Sequence, residues 1–263
     1  MSVFSLAGKV AVVTGATGAL GSAIAAGLTD AGARVVLVAR REGPLRELAA
    51  SLGSETTVAV ADVLDERALG DLVEGVGRVD ILVNGAGGNR AAATQVPGAS
   101  FLSIDVAAIR EVFDLNLMGT LLPCRVIGAG MVRQGGGAIV NVSSAAANLP
   151  LSRVAGYGAA KAAVENLTRY LAVDFGRASG GTVRVNAVAP GFFLGEQNRS
   201  LLMAPDGTLT ERGRTIVERT PTGRFGRAEE LVGTVVWLCS EAASFVTGAV
   251  IPVDGGFSAS WGI

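Results

Sequence analysis

Seven short apolar runs punctuate the chain: KVAVV (9–13), RVVLV (34–38), TVAVA (57–61), DILVN (80–84), AIVNV (138–142), VRVNAV (183–188) and GAVIPV (248–253). Apolar residues fill successive positions in them, not alternate ones. A strand with one wet face alternates and a strand covered on both faces does not, so the runs predict a mostly parallel sheet with helices on either side. Between them, Ala- and Leu-rich stretches predict helices over 19–31, 44–52, 65–76, 105–133, 156–178 and 228–240. Strand and helix in alternation is the pattern of a doubly wound α/β fold. Residues 190–227 break the rhythm, because Pro190, Gly191, Pro205, Gly207, Pro221 and Gly223 leave room for short helices only. A connecting segment that long in one compact domain reads as a lid or binding region. The expectation is a single domain over 1–263, with 190–227 as a substrate lid.

Composition narrows the partners. The chain is 49% hydrophobic with a formal net charge of −1, which gives no electrostatic case for nucleic acid or an anionic membrane. No apolar run reads as a membrane span, and MSVFSLAGKV lacks a charged-then-apolar leader pattern. A cytoplasmic protein acting on a small molecule is expected. Cys124 and Cys239 each lie in an apolar run, and no histidine or CxxC pair accompanies them, so no metal site is expected.

After the first apolar run comes TGATGALG, Thr14 to Gly21. Glycines at 15, 18 and 21 let the backbone turn tightly and approach a pyrophosphate, with the N–H groups of the next helix aimed at the anion. The plainer alternative is an ordinary strand-to-helix turn; the placement favours a dinucleotide. The second run ends in LVARRE, where Ala39 stands at the place of an acidic residue that would bind a ribose 2′-hydroxyl. Arg40 and Arg41 suit a 2′-phosphate instead, which favours NADP(H) and leaves NAD(H) open. They also read as two solvated arginines. Asp62 is placed to accept from an adenine amino group, and NGAGGN (84–89) reads as a close backbone approach to a ligand or as a turn.

A chain without histidine needs another proton carrier. Tyr157 and Lys161 in YGAAK lie four apart and share a helix face. An ammonium near a phenol favours the phenolate, so Lys161 is expected to lower the pKa of Tyr157 into a working range. Ser143 and Ser144 end the fifth run, where open α/β sheets bind ligands, and either hydroxyl would hold a substrate oxygen. Asn116 sits within FDLNLMGTLL although asparagine is a poor mid-helix residue. It either bends that helix or orders a water beside Lys161.

TGATGALG, NGAG, Asn116, NVSS, YGAAK and APG (189–191), in that order, resemble the short-chain dehydrogenase/reductase family over essentially the whole chain. The resemblance implies a Rossmann-like single domain and hydride transfer between a nicotinamide and a secondary alcohol or ketone. It implies a tetrad of Asn116, Ser144, Tyr157 and Lys161, the serine thirteen positions before the tyrosine being the family's. It also implies a dinucleotide held by Gly15, Thr17, Gly18, Leu20 and Gly21, by Arg40, Arg41, Asp62 and Val63, and by Asn84, Ala86 and Gly87. Tyr157 and Lys161, then Pro190, Gly191 and Phe193, complete that set. Two positions depart from the family pattern: Ala19 replaces the middle glycine of TGxxxGxG, and Gly195 replaces a threonine that often holds the nicotinamide amide.

A narrower likeness, carried by NGAGGN, FDLNLMGTLLP, APGFFLGEQNRSLL, GTLTERG, TPTGRFG and IPVDGGFSA, is to the D-mannonate oxidoreductase or fructuronate reductase branch. It implies a sugar-acid substrate. Asn89, Arg90, Asn148, Arg153, Gln197, Asn198 and Arg199 are the polar groups offered for its carboxylate and hydroxyls. The rivals are a 3-ketoacyl or generic ketone reductase and a dinucleotide-sensing protein without catalysis. Apolar helices at 105–133 and 156–178, with the family's habit of pairing them and packing DGGFSASWGI at a second axis, lead to an expected homotetramer.

Overall fold

The computed structural model describes residues 2–96 and 98–260, apart from the side chains of Glu196 and Gln197. Strands β1 (Val10–Thr14), β2 (Arg34–Ala39), β3 (Thr56–Val60), β4 (Ile81–Asn84), β5 (Gly137–Val142), β6 (Val183–Pro190) and β7 (Val250–Val253) form one parallel sheet. Their order is β3-β2-β1-β4-β5-β6-β7. All seven expected runs are strands, with ends moved by one or two residues. The pleat explains their continuous apolar character. Ala11 and Val13 of β1 point into one core and Val10 and Val12 into the other, as do Val35 and Leu37 against Val36 and Val38 of β2.

Among the described residues nine α-helices run in chain order: α1 (Ala19–Asp30), α2 (Glu42–Leu52), α3 (Glu66–Val76), α4 (Val106–Phe113), α5 (Gly119–Gln134), α6 (Ala155–Ala178), α7 (Glu196–Leu202), α8 (Glu211–Arg219) and α9 (Glu229–Cys239). Ile24 and Leu28 of α1 join Leu231 and Val235 of α9 over one face of the sheet. Ile127 and Met131 of α5 join Leu171 of α6 over the other. The chain reverses direction across the sheet between β1 and β4, and ligand crevices of such sheets lie outside the carboxyl ends of the strands at that point.

Two expectations need correction. The helix read over 105–133 is interrupted by a π turn, Asp114–Met118, in which the Gly119 N–H reaches back to the Asp114 carbonyl. Asn116 causes competition there, because its Nδ2 donates to the Val112 carbonyl at 2.8 Å and so offers the ladder another partner. Pro123 inside α5 further denies a donor to Gly119. The stretch Val106–Gln134 is also long and apolar enough to cross a membrane by length and composition, contrary to the reading that no such run exists. Half of its most apolar window is buried, and α5 packs on α3, α6, β4 and β5, as a core helix does. Residues 190–227, where room for short helices only was expected, carry just such helices. These are α7 and α8, closed by the bridges Phe193–Gly226 and Met203–Leu209.

Candidate active site

The turns that end β1 and β4 are locked together. The Thr14 hydroxyl accepts from the Gly85 and Ala86 N–H groups at 3.2 and 3.3 Å. Gly15 has φ 64°, and a Cβ there would lie 2.6 Å from both the Ala86 nitrogen and the Gly85 oxygen. A Cβ at Gly21 would collide with the Gly15 carbonyl. These glycines are therefore demanded by the chain's own packing. Gly18 is not: its nearest neighbour to a Cβ is the Gly15 oxygen at 3.4 Å, an ordinary contact. It caps α1 with no side-chain hydrogen bond, so first-turn N–H groups remain for an anion. An uncapped helix end over a glycine turn fits a pyrophosphate. Thr17 and Leu20 flank it, partly buried, with Leu20 against the core.

The two departures from the family pattern meet in space. A Cβ built on Gly195 would come within 3.2 Å of the Ala19 Cβ. An alanine at 19 thus occupies the room that a threonine at 195 would need, and the two changes are complementary. Phe193 next to it packs on Gly226, whose Cβ would stand 2.8 Å from the ring. Pro190 is buried at the end of β6, and a Cβ on Gly191 would lie 2.6 Å from that of Asp254.

At the far end of the cleft Arg40 and Arg41 are exposed. Arg40 stands 4.0 Å from the Asp62 carboxylate, whose other oxygen accepts from the Leu64 N–H. Val63 is buried against Gly119, where a Cβ would lie 3.0 Å from it. Asn84 is not a side-chain ligand. Its Nδ2 donates to Asn141 at 2.8 Å and to the Cys124 sulfur at 3.1 Å inside the core, while its buried Oδ1 has no partner among the described residues. Burial pushes the Cys124 thiol up to about 12, with the Asn84 hydrogen bond working against it, so it is a packed, inert thiol.

The four tetrad residues come together at the ends of β4 and β5. Asn116, fully buried, bridges its π turn to the β4 loop: Nδ2 donates to the Gly88 carbonyl at 2.7 Å and Oδ1 accepts from the Gly88 N–H at 3.0 Å. A Cβ on Gly87 would lie 2.8 Å from Asn116 Oδ1 and 3.1 Å from Lys161 Nζ, so this glycine lets the loop pass over both. Lys161 is buried and donates from Nζ to the Val142 carbonyl at 2.7 Å. Burial pushes its ammonium down to about 8. Its Nζ lies 5.7 Å from the centre of the Tyr157 ring. The Ser144 hydroxyl lies near enough to act on the Tyr157 phenol. The expected lowering of the Tyr157 pKa is not found: burial drives the phenol above its ordinary value, and the nearby Ser144 hydroxyl only offsets part of this.

The choice between the two serines is decided by where each hydroxyl points. Ser143 donates to the buried Glu165 carboxylate at 3.0 Å, on the core side of α6. Ser144 accepts from the Ala146 N–H at 3.2 Å and faces Tyr157. Glu165 was missed in the sequence although it continues the Tyr157–Lys161 face by one more helical turn. It also takes up Asn148, whose Nδ2 donates to both carboxylate oxygens at 3.1 and 3.0 Å, so Asn148 is a structural amide rather than a substrate ligand.

The other substrate candidates divide. Asn198 is spent on its own turn, accepting from the Gly195 N–H at 2.9 Å and donating to the Phe193 carbonyl at 2.8 Å. Arg90 is held 3.4 Å from Glu111. Asn89 donates to Thr94 at 2.8 Å, while its buried Oδ1 has no partner among the described residues. Arg199 is exposed on α7, and the side chain of Gln197 lies outside the described residues. Arg153 holds a left-handed backbone, φ 73°, and its carbonyl accepts from the Gln95 N–H at 3.0 Å. Arg212 of α8, not singled out from the sequence, donates to the Ser152 hydroxyl at 3.1 Å. Nothing in the pattern around it signals that contact, which joins segments 60 residues apart.

Comparison with known proteins agrees with this geometry. Residues 15–258 match a family model described as Enoyl-(Acyl carrier protein) reductase. An uncharacterized oxidoreductase of Bacillus subtilis, UxuB, is 43% identical, with 98% of each chain covered. Among solved structures, a Haemophilus influenzae protein provisionally named a D-mannonate oxidoreductase, with bound NAD, superimposes with a TM-score of 0.91 at 36% identity over 98% of each chain. A gluconate 5-dehydrogenase from Burkholderia cenocepacia, in complex with NADP and tartrate, does so at 0.86 and 32% over 97% of each. Known relatives thus carry either dinucleotide, and their named substrates include sugar acids and polyols. The chain belongs to the short-chain dehydrogenase/reductase family, whose members are NAD(P)-dependent oxidoreductases acting on CH–OH groups.

Proposed function

We propose that the protein interconverts a secondary alcohol and a ketone on a sugar acid of the D-mannonate/D-fructuronate type, with Tyr157 as the proton carrier. The observation that carries this reading is the buried Lys161 ammonium 5.7 Å from the centre of the Tyr157 ring, with the Ser144 hydroxyl near enough to act on the phenol. When bound, the nicotinamide gives or takes the hydride. Ser144 holds the substrate oxygen and polarises the carbonyl. With its pKa raised, Tyr157 rests as the neutral phenol at pH 7, ready to donate its proton to the developing alkoxide in reduction. In oxidation it receives the hydroxyl proton. Lys161, at about 8, is largely charged at neutral pH and lowers the cost of the phenolate while the tyrosine is deprotonated. Asn116 holds the Gly87–Gly88 segment against it. Residues 190–227 serve as the lid.

Arg40, exposed at the end of β2, is the proposed 2′-phosphate ligand, with Arg41 beside it, and gives preference for NADP(H). The bound NAD of the Haemophilus protein makes NAD(H) the competing outcome. Self-association into a tetramer belongs to the same reading. Tyr170 and Val173 stand 67% and 53% exposed one turn apart on α6, an apolar face that suits a second copy. Light scattering at micromolar concentration is expected to give the mass of four chains; a stable monomer would contradict it. The end of DGGFSASWGI, from Trp261, lies outside the described residues.

Reduction of D-fructuronate, D-fructose and a 3-ketoacyl thioester, each with NADPH and NADH, tests the function. The highest kcat/KM is expected for D-fructuronate. Turnover of the acyl ketone with none of the sugar acid would favour the second reading, a ketoacyl reductase.

A further inference from the structure

A sugar acid bound for hydride transfer needs its carboxylate fixed at a set distance from the reacting carbon. Two of the polar groups near the site are already committed, Asn148 to Glu165 and Asn198 to its own turn, and Arg90 stands 3.4 Å from Glu111. Arg153 and Arg212 differ. Neither forms an ion pair among the described residues, and Arg212 donates to the hydroxyl of Ser152, the residue before Arg153, at 3.1 Å. Two partly buried guanidinium groups brought to one loop without a carboxylate partner offer an anion two planar forks to pair with.

Their placement supports this. Arg153 lies on the segment that joins Ser144 to Tyr157, one helical turn before the tyrosine. Among the described residues it alone has a left-handed backbone without being glycine, and strain of that kind collects at functional sites. Its carbonyl is tied to Gln95 on the loop after β4. Arg212 arrives from the opposite side, on the first turn of α8, and is seated by its bond to Ser152. The first turn of a helix is the positive end of its dipole, where a cation is disfavoured unless something else needs it there. The loop after β4, the Ser144–Tyr157 segment and the 190–227 region converge on this pair.

We infer that Arg153 and Arg212 form a carboxylate clamp that selects sugar acids over neutral sugars, with α8 seated on the Ser152–Arg153 loop. The inference rests on the proposed sugar-acid reading, and it assigns substrate selection to a residue of α8.

The test compares ligands that differ at one end only. D-gluconate and D-sorbitol serve as binding probes by thermal shift of the NADPH-loaded enzyme, and D-fructuronate and D-fructose as substrates. Removing one bidentate guanidinium contact is expected to raise KM for D-fructuronate roughly 10- to 150-fold in Arg212→Gln. KM for D-fructose and the Kd of NADPH should stay within about threefold. Arg153→Gln should behave alike. Ser152→Ala, which removes only the seating bond and is mild enough to fold, should show the same direction with a smaller effect. Stabilisation by D-gluconate should vanish in Arg212→Gln. Equal changes for acid and neutral substrates, or an unchanged KM for the acid, would overturn the clamp while leaving the function standing. Gluconate binding that depends on Arg212, in an enzyme that turns over no sugar acid, would uphold the clamp and sink the proposed reaction.

Discussion

The two ends of the cleft are built from different material. At the phosphate end, the work is done by backbone: Gly15 and Gly21 allow two turns to pack at distances no side chain tolerates, and Thr14 ties them. At the catalytic end, it is done by buried side chains whose charges and hydrogen bonds are set by burial: Asn116, Lys161 and Glu165 are 0%, 3% and 2% exposed. The first end is steric and insensitive to pH. The second is electrostatic, and holding it together works against stability.

Glycine substitutions break the comparison most sharply. Gly15→Ala forces a left-handed alanine against the Gly85–Ala86 backbone and should cost at least about 2 kcal/mol of stability, read by chemical denaturation. Gly18→Ala meets no neighbour closer than 3.4 Å and should leave stability within about 0.5 kcal/mol. It should nevertheless weaken dinucleotide binding about tenfold, because the added methyl stands where the pyrophosphate approaches. Equal loss of stability in both variants would mean that Gly18 too is only structural.

Lys161 sharpens the other side. Its pKa falls from 10.5 to about 8 on burial, which corresponds to a cost of about 3 kcal/mol for keeping the ammonium inside below that pH. The folded pKa lies below the unfolded one, so the unfolded chain binds more protons between the two values. The cost is therefore full below about pH 8, shrinks as pH rises, and is gone above about pH 10.5. Lys161→Met loses the bond to Val142, worth about 1 kcal/mol. It should still be more stable than wild type at pH 7 by roughly 2 kcal/mol, with the advantage disappearing by pH 10, and inactive. A variant less stable than wild type at pH 7 would show that the ammonium is not held at a loss.

The smallest effect is at the adenosine end. Arg40 is 63% exposed, so Arg40→Ala should cost only about tenfold in kcat/KM with NADPH and nothing with NADH. Equal changes with both cofactors would remove Arg40 from cofactor choice.

The same division explains what the sequence made legible. Local backbone needs are written locally. The apolar runs became strands, and the glycine turn fell where the first strand ends. What failed depended on distant partners. The π turn at Asp114–Met118 follows from the Asn116 side chain reaching both Val112 and Gly88, and the second of these is 28 residues away. Asn148 looked like a loop residue free for substrate, because its Glu165 partner lies a helix away. The direction of the Tyr157 shift was misjudged because a neighbouring lysine is visible in the pattern YGAAK and burial is not. Arg212 was missed because its partner Ser152 lies 60 residues away, beyond any local pattern.

The central claim is that Tyr157 carries the proton. Single-turnover reduction by Tyr157→Phe, with NADPH bound to saturation, measures it directly. The phenylalanine keeps the ring and removes only the hydroxyl that meets Ser144. The account predicts hydride transfer slowed by at least about a hundredfold, with the Kd of NADPH within about threefold of wild type. A Tyr157→Phe enzyme that transfers hydride at the wild-type rate would contradict it.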